Sequence, residues 1–168
     1  MPNWCENKLL ILADNKDGLK DFGRLEKLFE ESLDYNEETG EVKNLLDSIV
    51  SMPKALKDGK KYTLPNGDTM DWYKWCNNFW GTKWDACNCI ATMPDFNAPN
   101  RMMFVFDTAW APPLTWLETV AAIFPNLWIK LRYDEPGIGF RGVACGRGEI
   151  IDECEDYEYD DRGEEYQD

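Results

Sequence analysis

Residues 102–134 read MMFVFDTAWAPPLTWLETVAAIFPNLWIKLRYD and place a strand, a corner, a helix and a second strand in succession. The uninterrupted apolar run 102–106 predicts a fully buried strand. Pro112 and Pro113 follow after a short corner, and proline suits the first turn of a helix. An apolar stripe over 113–124 predicts that helix. Residues 127–133 then alternate between apolar and polar side chains, which is typical of a strand with one buried face.

The chain upstream of this stretch adds a strand and a long helix. Residues 8–13 form a short apolar run that predicts a buried strand. Over residues 17–35 apolar side chains recur every three or four positions, which predicts a helix with one apolar stripe, and either Asn15 or Asp17 could cap its start. We therefore expect a strand followed by an amphipathic helix at this end of the chain.

Residues 37–80 form an irregular insert. Its apolar patch 45–52 fits a helix or a strand, and residues 54–69 indicate a loop or a small hairpin around an Asn-Gly turn. Aromatic side chains at helical spacing over 71–79 predict a short helix. Three further strands are expected, at 87–91, 140–145 and 149–154.

The order of these elements contains a split βαβ pattern, which predicts an α+β fold: an antiparallel sheet with helices on one face. No linker divides the chain, so we expect one domain over residues 1–154, followed by an acidic tail at 155–168.

Charge is distributed unevenly along the 168 residues. The net charge is −14, and residues 152–168 carry ten Asp or Glu against Arg162 alone, so the first 151 residues account for only −5. A protein with a net negative charge gains no binding energy from releasing the counterions of a nucleic acid. Direct DNA or RNA binding is therefore not expected. The sequence shows no targeting segment and no apolar run of about 18 residues, so we expect a cytoplasmic protein that does not enter a membrane.

The sequence contains few of the residues that catalytic and metal sites commonly use. It has six Cys and no His, and the Cys show no zinc-ligand spacing, so we expect free thiols, no metal and no cofactor. Without His a Cys–His or Ser–His pair cannot form. Asp107, Asp134 and Glu135 lie at strand ends, but carboxylates there more often cap turns or pair with a residue such as Lys83 or Arg141. The chain is therefore not expected to be an enzyme.

Four clusters combine a bulky ring with a residue that restricts the backbone, at residues 1–7, 80–84, 108–113 and 133–140. In this order the clusters resemble the YubB-like family, which is carried by phages and conjugative plasmids and contains a ferredoxin-like domain. The resemblance implies a ferredoxin-like α+β fold and a mobile-element origin. It implies no activity.

Aromatic side chains within these clusters are the candidate binding residues. For the rings at 72, 75, 79, 80 and 84, burial in the core is the more common role of such large side chains. The alternative is that one groove at the end of the sheet is rimmed by Lys83, Trp84, Trp110, Glu135 and Phe140.

The acidic tail interleaves aromatic rings with carboxylates. It could lie in the basic groove of a nucleic-acid-binding host protein, or it could be a solvated end that raises solubility. The candidate contacts in the tail are Glu155, Asp156, Glu158, Asp160 and Asp161.

Two functions therefore compete. The favoured hypothesis is a non-catalytic accessory protein of a phage or plasmid that binds and inhibits a host protein in the host cytoplasm, in a defence or nucleic-acid-processing complex. The alternative is a nucleotide-binding or nucleotide-sequestering protein, with Trp rings for stacking and Lys83 or Arg141 for phosphate. The sequence leaves the oligomeric state open.

Overall fold

The structure is a computed structural model and describes residues 1–94 and 97–156. The elements within these residues follow in chain order: β1 (Trp4–Leu12), α1 (Lys16–Ser32), β2 (Glu41–Val42), α2 (Leu45–Ile49), α3 (Lys54–Lys57), β3 (Tyr62–Thr63), β4 (Thr69–Met70), α4 (Trp72–Phe79), β5 (Cys87–Thr92), β6 (Arg101–Ala109), α5 (Leu114–Ile123), β7 (Trp128–Glu135), β8 (Phe140–Arg147) and β9 (Glu149–Asp156).

One large sheet organises the chain. Its strand order is β2-β5-β6-β1-β7-β8-β9, and every neighbouring pair is antiparallel. The central strand β1 pairs with β6 on one side and with β7 on the other. With α1 and α5, the strands β1, β5, β6 and β7 form the split βαβ arrangement that the sequence predicts, so the antiparallel α+β fold is confirmed.

The sheet has one covered and one open face. Along β1 the side chains of Cys5, Leu9 and Ile11 are fully buried, whereas Glu6 and Lys8 between them are exposed. On the covered face the Phe29 ring of α1 lies 5.8 Å from the Phe104 ring of β6. The Trp116 indole of α5 donates a hydrogen bond to the Leu46 carbonyl of α2 at 3.0 Å, which joins the helices into one layer.

Helix α1 differs in detail from its predicted form. Asn15 is the cap, because its side chain accepts the Gly18 N–H at 2.8 Å, and the helix ends at Ser32. Leu19 is 54% exposed, although it belongs to the predicted apolar stripe. Asp21 is buried instead, where its carboxylate accepts two hydrogen bonds of 3.0 Å from the backbone and the side chain of Asn126.

The insert contains more helix than its sequence indicates. The ambiguous patch forms α2, and residues 54–69 form α3 and the hairpin β3–β4. Helix α4 buries Trp75 but leaves Trp72 and Phe79 exposed by 40% and 37%, so burial of all three rings in the core was a wrong prediction. A helix of eight residues turns one narrow side to the core, and the outer rings pack on Tyr73 and Trp75 instead.

The last strand also differs from its prediction. β9 continues to Asp156, two residues beyond the predicted boundary at Cys154. Glu155 and Asp156 are therefore sheet residues opposite Arg141 and Phe140, and neither is part of a tail.

All six cysteines are free thiols in the structure. Burial raises the pKa of Cys5 and of Cys89 to about 12, which leaves both thiols protonated and unreactive at neutral pH. Among residues 1–94 and 97–156, no helix has the length and apolarity needed to cross a bilayer.

The β7–β8–β9 ribbon depends on a glycine. The Tyr133 hydroxyl donates to the Asp152 carboxylate at 2.6 Å, and its ring passes directly over Gly142 to do so. Burial and then this hydrogen bond raise the pKa of Tyr133 above its ordinary value. A Cβ at position 142 would stand 2.5 Å from Tyr133 Cζ and 2.6 Å from the Glu153 carbonyl oxygen.

We expect Gly142→Ala to lower the free energy of unfolding by about 2–3 kcal/mol, because neither the ring nor the backbone can move away without losing contacts. Urea denaturation measures this change. Gly23→Ala is the matched control, since no atom of residues 1–94 or 97–156 lies within 4 Å of a Cβ at that helical position. It should be neutral or stabilising by up to about 1 kcal/mol. Equal effects of the two substitutions on the free energy of unfolding would contradict the claim that Tyr133 and Glu153 exclude a Cβ at position 142.

Candidate functional site

Three of the four aromatic clusters meet where β1 begins and β6 ends. The Trp110 N–H donates to the Asn3 carbonyl at 2.9 Å. The Thr82 hydroxyl donates to the Ala109 carbonyl at 3.0 Å. The rings of Trp4 and Trp84 lie 6.3 Å apart between centroids. Segments that are distant in sequence therefore build a single end of the sheet.

The fourth cluster, the turn between β7 and β8, reaches the same end. A Cβ at Gly137 would stand 2.6 Å from the Asn3 side chain, so the turn lies directly against the start of β1. Glu135 is fully buried, and its two carboxylate oxygens accept the N–H groups of Gly137 at 2.9 Å and Ile138 at 2.7 Å. The prediction that Glu135 rims a groove is therefore wrong, because this carboxylate orders the turn.

A buried polar chain supports the corner at residues 108–113. The Asn7 amide donates to the Cys5 carbonyl at 2.8 Å and to the Thr108 hydroxyl at 2.9 Å. Thr108 in turn donates to the Ala111 carbonyl at 2.7 Å. Asn7 is 2% exposed and Thr108 is fully buried, so the corner is held from within the sheet.

Trp110 has an unusual backbone conformation. Its φ is +73°, in the left-handed region that aromatic residues rarely adopt, and 46% of its surface is exposed. Holding a residue there costs on the order of 1–3 kcal/mol, and such residues cluster at functional sites. The hydrogen bond to Asn3 and the corner around Thr108 maintain the conformation.

Exposed rings surround one lysine at this end of the sheet. The Lys83 ammonium lies 4.4 Å from the centroid of the Trp84 ring and 6.0 Å from that of Tyr73. We call this surface the aromatic end; its residues are Trp4, Tyr73, Lys83, Trp84 and Trp110. The exposed fractions of the four aromatic residues lie between 36% and 52%.

The aromatic end contains three residues that the sequence singled out, namely Lys83, Trp84 and Trp110. It also contains Trp4 and Tyr73, which the sequence reasoning missed. The signal for Trp4 was available: Trp4 precedes Glu6 and Lys8 at a period of two, so it shares their open face.

The other predicted contacts lie elsewhere. The Phe140 ring is half-buried and packs on Tyr133, with 6.2 Å between ring centroids. Glu155 accepts a hydrogen bond from Arg141 Nε at 2.6 Å, and Asp156 is exposed at the end of β9. Glu158, Asp160 and Asp161 lie outside the described residues.

A groove of about 720 Å³ runs across the open face of the sheet. Charges of both signs line it, among them Glu6, Lys8, Arg132, Asp134, Arg141 and Glu153. Within the part of the chain that the structure describes, no group of three or more His, Cys, Asp or Glu side chains could hold a metal ion.

Asp85, just past the second cluster, holds the insert in place. One carboxylate oxygen accepts the N–H groups of Leu46 and Ala86 at 2.7 Å, and the other accepts that of Asp47 at 3.0 Å. Two of these donors are at the start of α2, so Asp85 joins that helix to the sheet. Burial raises the pKa of Asp85 to about 6, although the three donors act to lower it.

Comparisons with known proteins place the fold. The family model described as "Ferredoxin-like domain in Api92-like protein" matches residues 79–168. The crystal structure of the protein api92 from Yersinia pseudotuberculosis matches with a TM-score of 0.56 at 12% identity, over 95% of this chain and 99% of that chain. At that identity the likeness concerns the fold alone. No curated protein matches the chain.

We expect Asp85 to make stability pH-dependent. The folded-state pKa of Asp85 is about 6, above that of an unfolded Asp, so the folded state binds the proton more tightly than the unfolded state. Protonation of Asp85 therefore adds to the free energy of unfolding as the pH falls from 7 to 4. Relative to Asp85→Asn, the wild type should gain on the order of 1–2 kcal/mol over that interval. Urea denaturation across the pH range measures the gain.

The control for this experiment is Asp58→Asn, at an exposed carboxylate. The Asp58 variant should follow the wild-type pH profile. If the Asp85 variant also followed that profile, the raised pKa would be refuted.

Proposed function

The chain belongs to the family defined by the ferredoxin-like domain in Api92-like protein, and on that fold we propose that it is a non-catalytic binding protein. Its contact surface for a protein partner is the aromatic end. The proposal goes beyond family membership, which carries no activity with it.

The observation that carries this proposal is the conformation of Trp110. Glycine would adopt a φ of +73° without strain, yet the position holds the largest side chain available, and nearly half of that side chain faces solvent. Folding alone gains little from this arrangement. A partner that buries the indole offsets its cost.

The composition of the aromatic end supports the same use. Trp and Tyr dominate the energetics of protein interfaces because they bury a large area with few rotatable bonds. Lys83 keeps its ammonium over the Trp84 ring and so adds a fixed positive charge among the rings. The sheet beneath positions these side chains rigidly, as binding loops require.

Electrostatics favour a basic partner. β9 is an edge strand with exposed carboxylates, and residues 152–168 together carry a net charge of −9. Charge of this kind mainly raises the rate of association, whereas a buried Trp lowers the rate of dissociation. A nucleic-acid-binding protein with a basic groove fits both contacts.

The biological setting of the proposal is inhibition of such a host protein by a phage or plasmid accessory protein in the host cytoplasm. This setting rests on the resemblance of the four aromatic clusters to the YubB-like family. Convergence of the clusters at one end of the sheet supports their acting together.

Nucleotide sequestration is the second candidate, because the Trp84 ring could stack on a base and the Lys83 ammonium could bind a phosphate. The Lys83 ammonium already covers the Trp84 ring at 4.4 Å, which leaves that face unavailable for stacking. Titration of Trp fluorescence with ATP tests this candidate. Saturable quenching at micromolar ATP, abolished in Trp84→Ala, would favour it over a protein partner.

We expect Trp110→Gly to stabilise the fold by about 1 kcal/mol, since glycine relieves the left-handed strain, and to weaken partner binding by tenfold or more. Thermal melting measures the first effect. Affinity capture from host lysate, followed by quantitative mass spectrometry, measures the second.

The matched control for Trp110→Gly is Leu19→Ala, which removes an exposed apolar side chain from α1 on the opposite side of the molecule. Proteins captured equally by the wild type and both variants would be non-specific. If every captured protein fell into that class, the aromatic end would not be the binding surface.

We expect removal of residues 157–168 to weaken capture at low salt, to have little effect at high salt and to leave the melting temperature nearly unchanged. The cut follows Asp156, so it spares the ion pair between Arg141 and Glu155. The control keeps the length and replaces Glu158, Asp160 and Asp161 by Gln or Asn. Capture that is insensitive to both changes at every salt concentration would eliminate the electrostatic contact.

A further inference from the structure

The two edges of the large sheet are built differently. At one edge β2 has two residues, so it offers little backbone to another strand. At the other edge β9 has eight residues and pairs with β8 at all eight positions without a bulge. The strand contains no proline. Brevity, bulges and proline are common protections of an edge strand, and β9 has none of these three.

The outer backbone of β9 is available for hydrogen bonding. In a strand, every second residue directs its N–H and C=O groups away from the neighbouring strand. Among residues 1–94 and 97–156, β9 forms no backbone hydrogen bond outside its ladder with β8. Seven of its eight residues are exposed, and Ile150 is half-buried. An extended segment can therefore lie alongside β9 and continue the sheet.

One side of β9 has a short pattern of charge and apolarity. Glu149, Ile151 and Glu153 lie at a period of two on the open face of the sheet, and they are acidic, apolar and acidic. Ile151 is 66% exposed. The next residue on this side, Glu155, is already paired with Arg141 at 2.6 Å.

The two carboxylates of this pattern are not neutralised by β8. Arg147 lies opposite Glu149, but its guanidinium pairs with Asp14 at 2.6 Å. The residue opposite Glu153 is the uncharged Val143. In the part of the chain that the structure describes, neither Glu149 nor Glu153 forms an ion pair. Both charges are therefore available to a neighbour on the outer side of β9.

We propose that an extended basic segment of a partner protein adds a strand to the free edge of β9, with basic side chains beside Glu149 and Glu153 and an apolar side chain beside Ile151. The inference rests on the proposed function, because it specifies how a basic partner is held. It assigns β9 a contact of its own, apart from the aromatic end.

Main-chain and side-chain contacts divide the work of recognition. Main-chain hydrogen bonds hold any extended segment, whereas the side chains select one that is basic, apolar and basic at alternate positions. Opposite charges side by side on neighbouring strands, about 4.8 Å apart, stabilise a sheet. The pattern on β9 reads the same in both directions, so the added strand can be parallel or antiparallel.

The test uses the purified full chain and two end-blocked, fluorescein-labelled peptides, TKTVTKT and TETVTET. Dissociation constants are measured by fluorescence anisotropy at about 0.15 M salt, where distant charges are largely screened. The wild type should bind TKTVTKT at least about tenfold more tightly than TETVTET. The variant Glu149→Lys/Glu153→Lys should have the reverse preference.

N-methylated forms of TKTVTKT separate strand addition from attraction between charges alone. One alternate set of peptide N–H groups faces β9, and the other faces away. Methylation of the first set should abolish binding to the wild type, and methylation of the second should change the constant by no more than about twofold. Equal effects of the two methylation patterns would overturn strand addition. This comparison does not depend on the folding of any variant.

The matched control is Glu31→Lys/Glu38→Lys, which reverses two exposed carboxylates away from β9 and should keep the wild-type preference. Thermal melting confirms that each variant is folded. The proposal would be refuted by a wild type that binds neither peptide, or by a folded Glu149→Lys/Glu153→Lys variant that still prefers TKTVTKT. Failure of the aromatic end is read separately, from host-protein capture by Trp110→Gly.

Discussion

The hydrogen bonds of Asn7 are the contacts on which the candidate site depends. A buried amide is costly unless its donors are satisfied, and Asn7 satisfies its own on Cys5 and Thr108 in the middle of the sheet. Thr108 then reaches Ala111, so one buried chain connects the central strand to the corner after β6. The conformation of Trp110 follows from this support. A polar group inside the core thus positions an aromatic group outside it.

Carboxylates near the aromatic clusters have a related role. Glu135 holds the turn between β7 and β8 through two backbone N–H groups, and Asp85 holds the start of α2 through two more. Asp21 binds Asn126 in the same manner. Each of these acids exchanges hydration for fixed donors, and these hydrogen bonds restrain the loop that supplies them. Rigid loops bind with a smaller loss of entropy.

Periodicity in the sequence was sufficient for the antiparallel sheet and for α1 and α5, because one buried face per element leaves a clear pattern. The site was only partly predictable. Lys83, Trp84 and Trp110 do lie together, but a carboxylate at a strand end looks the same in sequence whether it faces solvent, as expected of Glu135, or is enclosed by the turn that follows. Similarly, spacing alone placed Leu19 in the core and could not show that Asn126, 105 residues away, draws Asp21 inward.

The acidic edge strand β9 has a consequence for how copies of the molecule can be arranged side by side. An edge strand presents unpaired N–H and C=O groups, which invite another strand to extend the sheet. Five of the eight residues of β9 are Asp or Glu, so a second β9 alongside would bring rows of like charge within about 5 Å. We therefore expect the carboxylates of β9 to oppose edge-to-edge growth of the sheet into fibres.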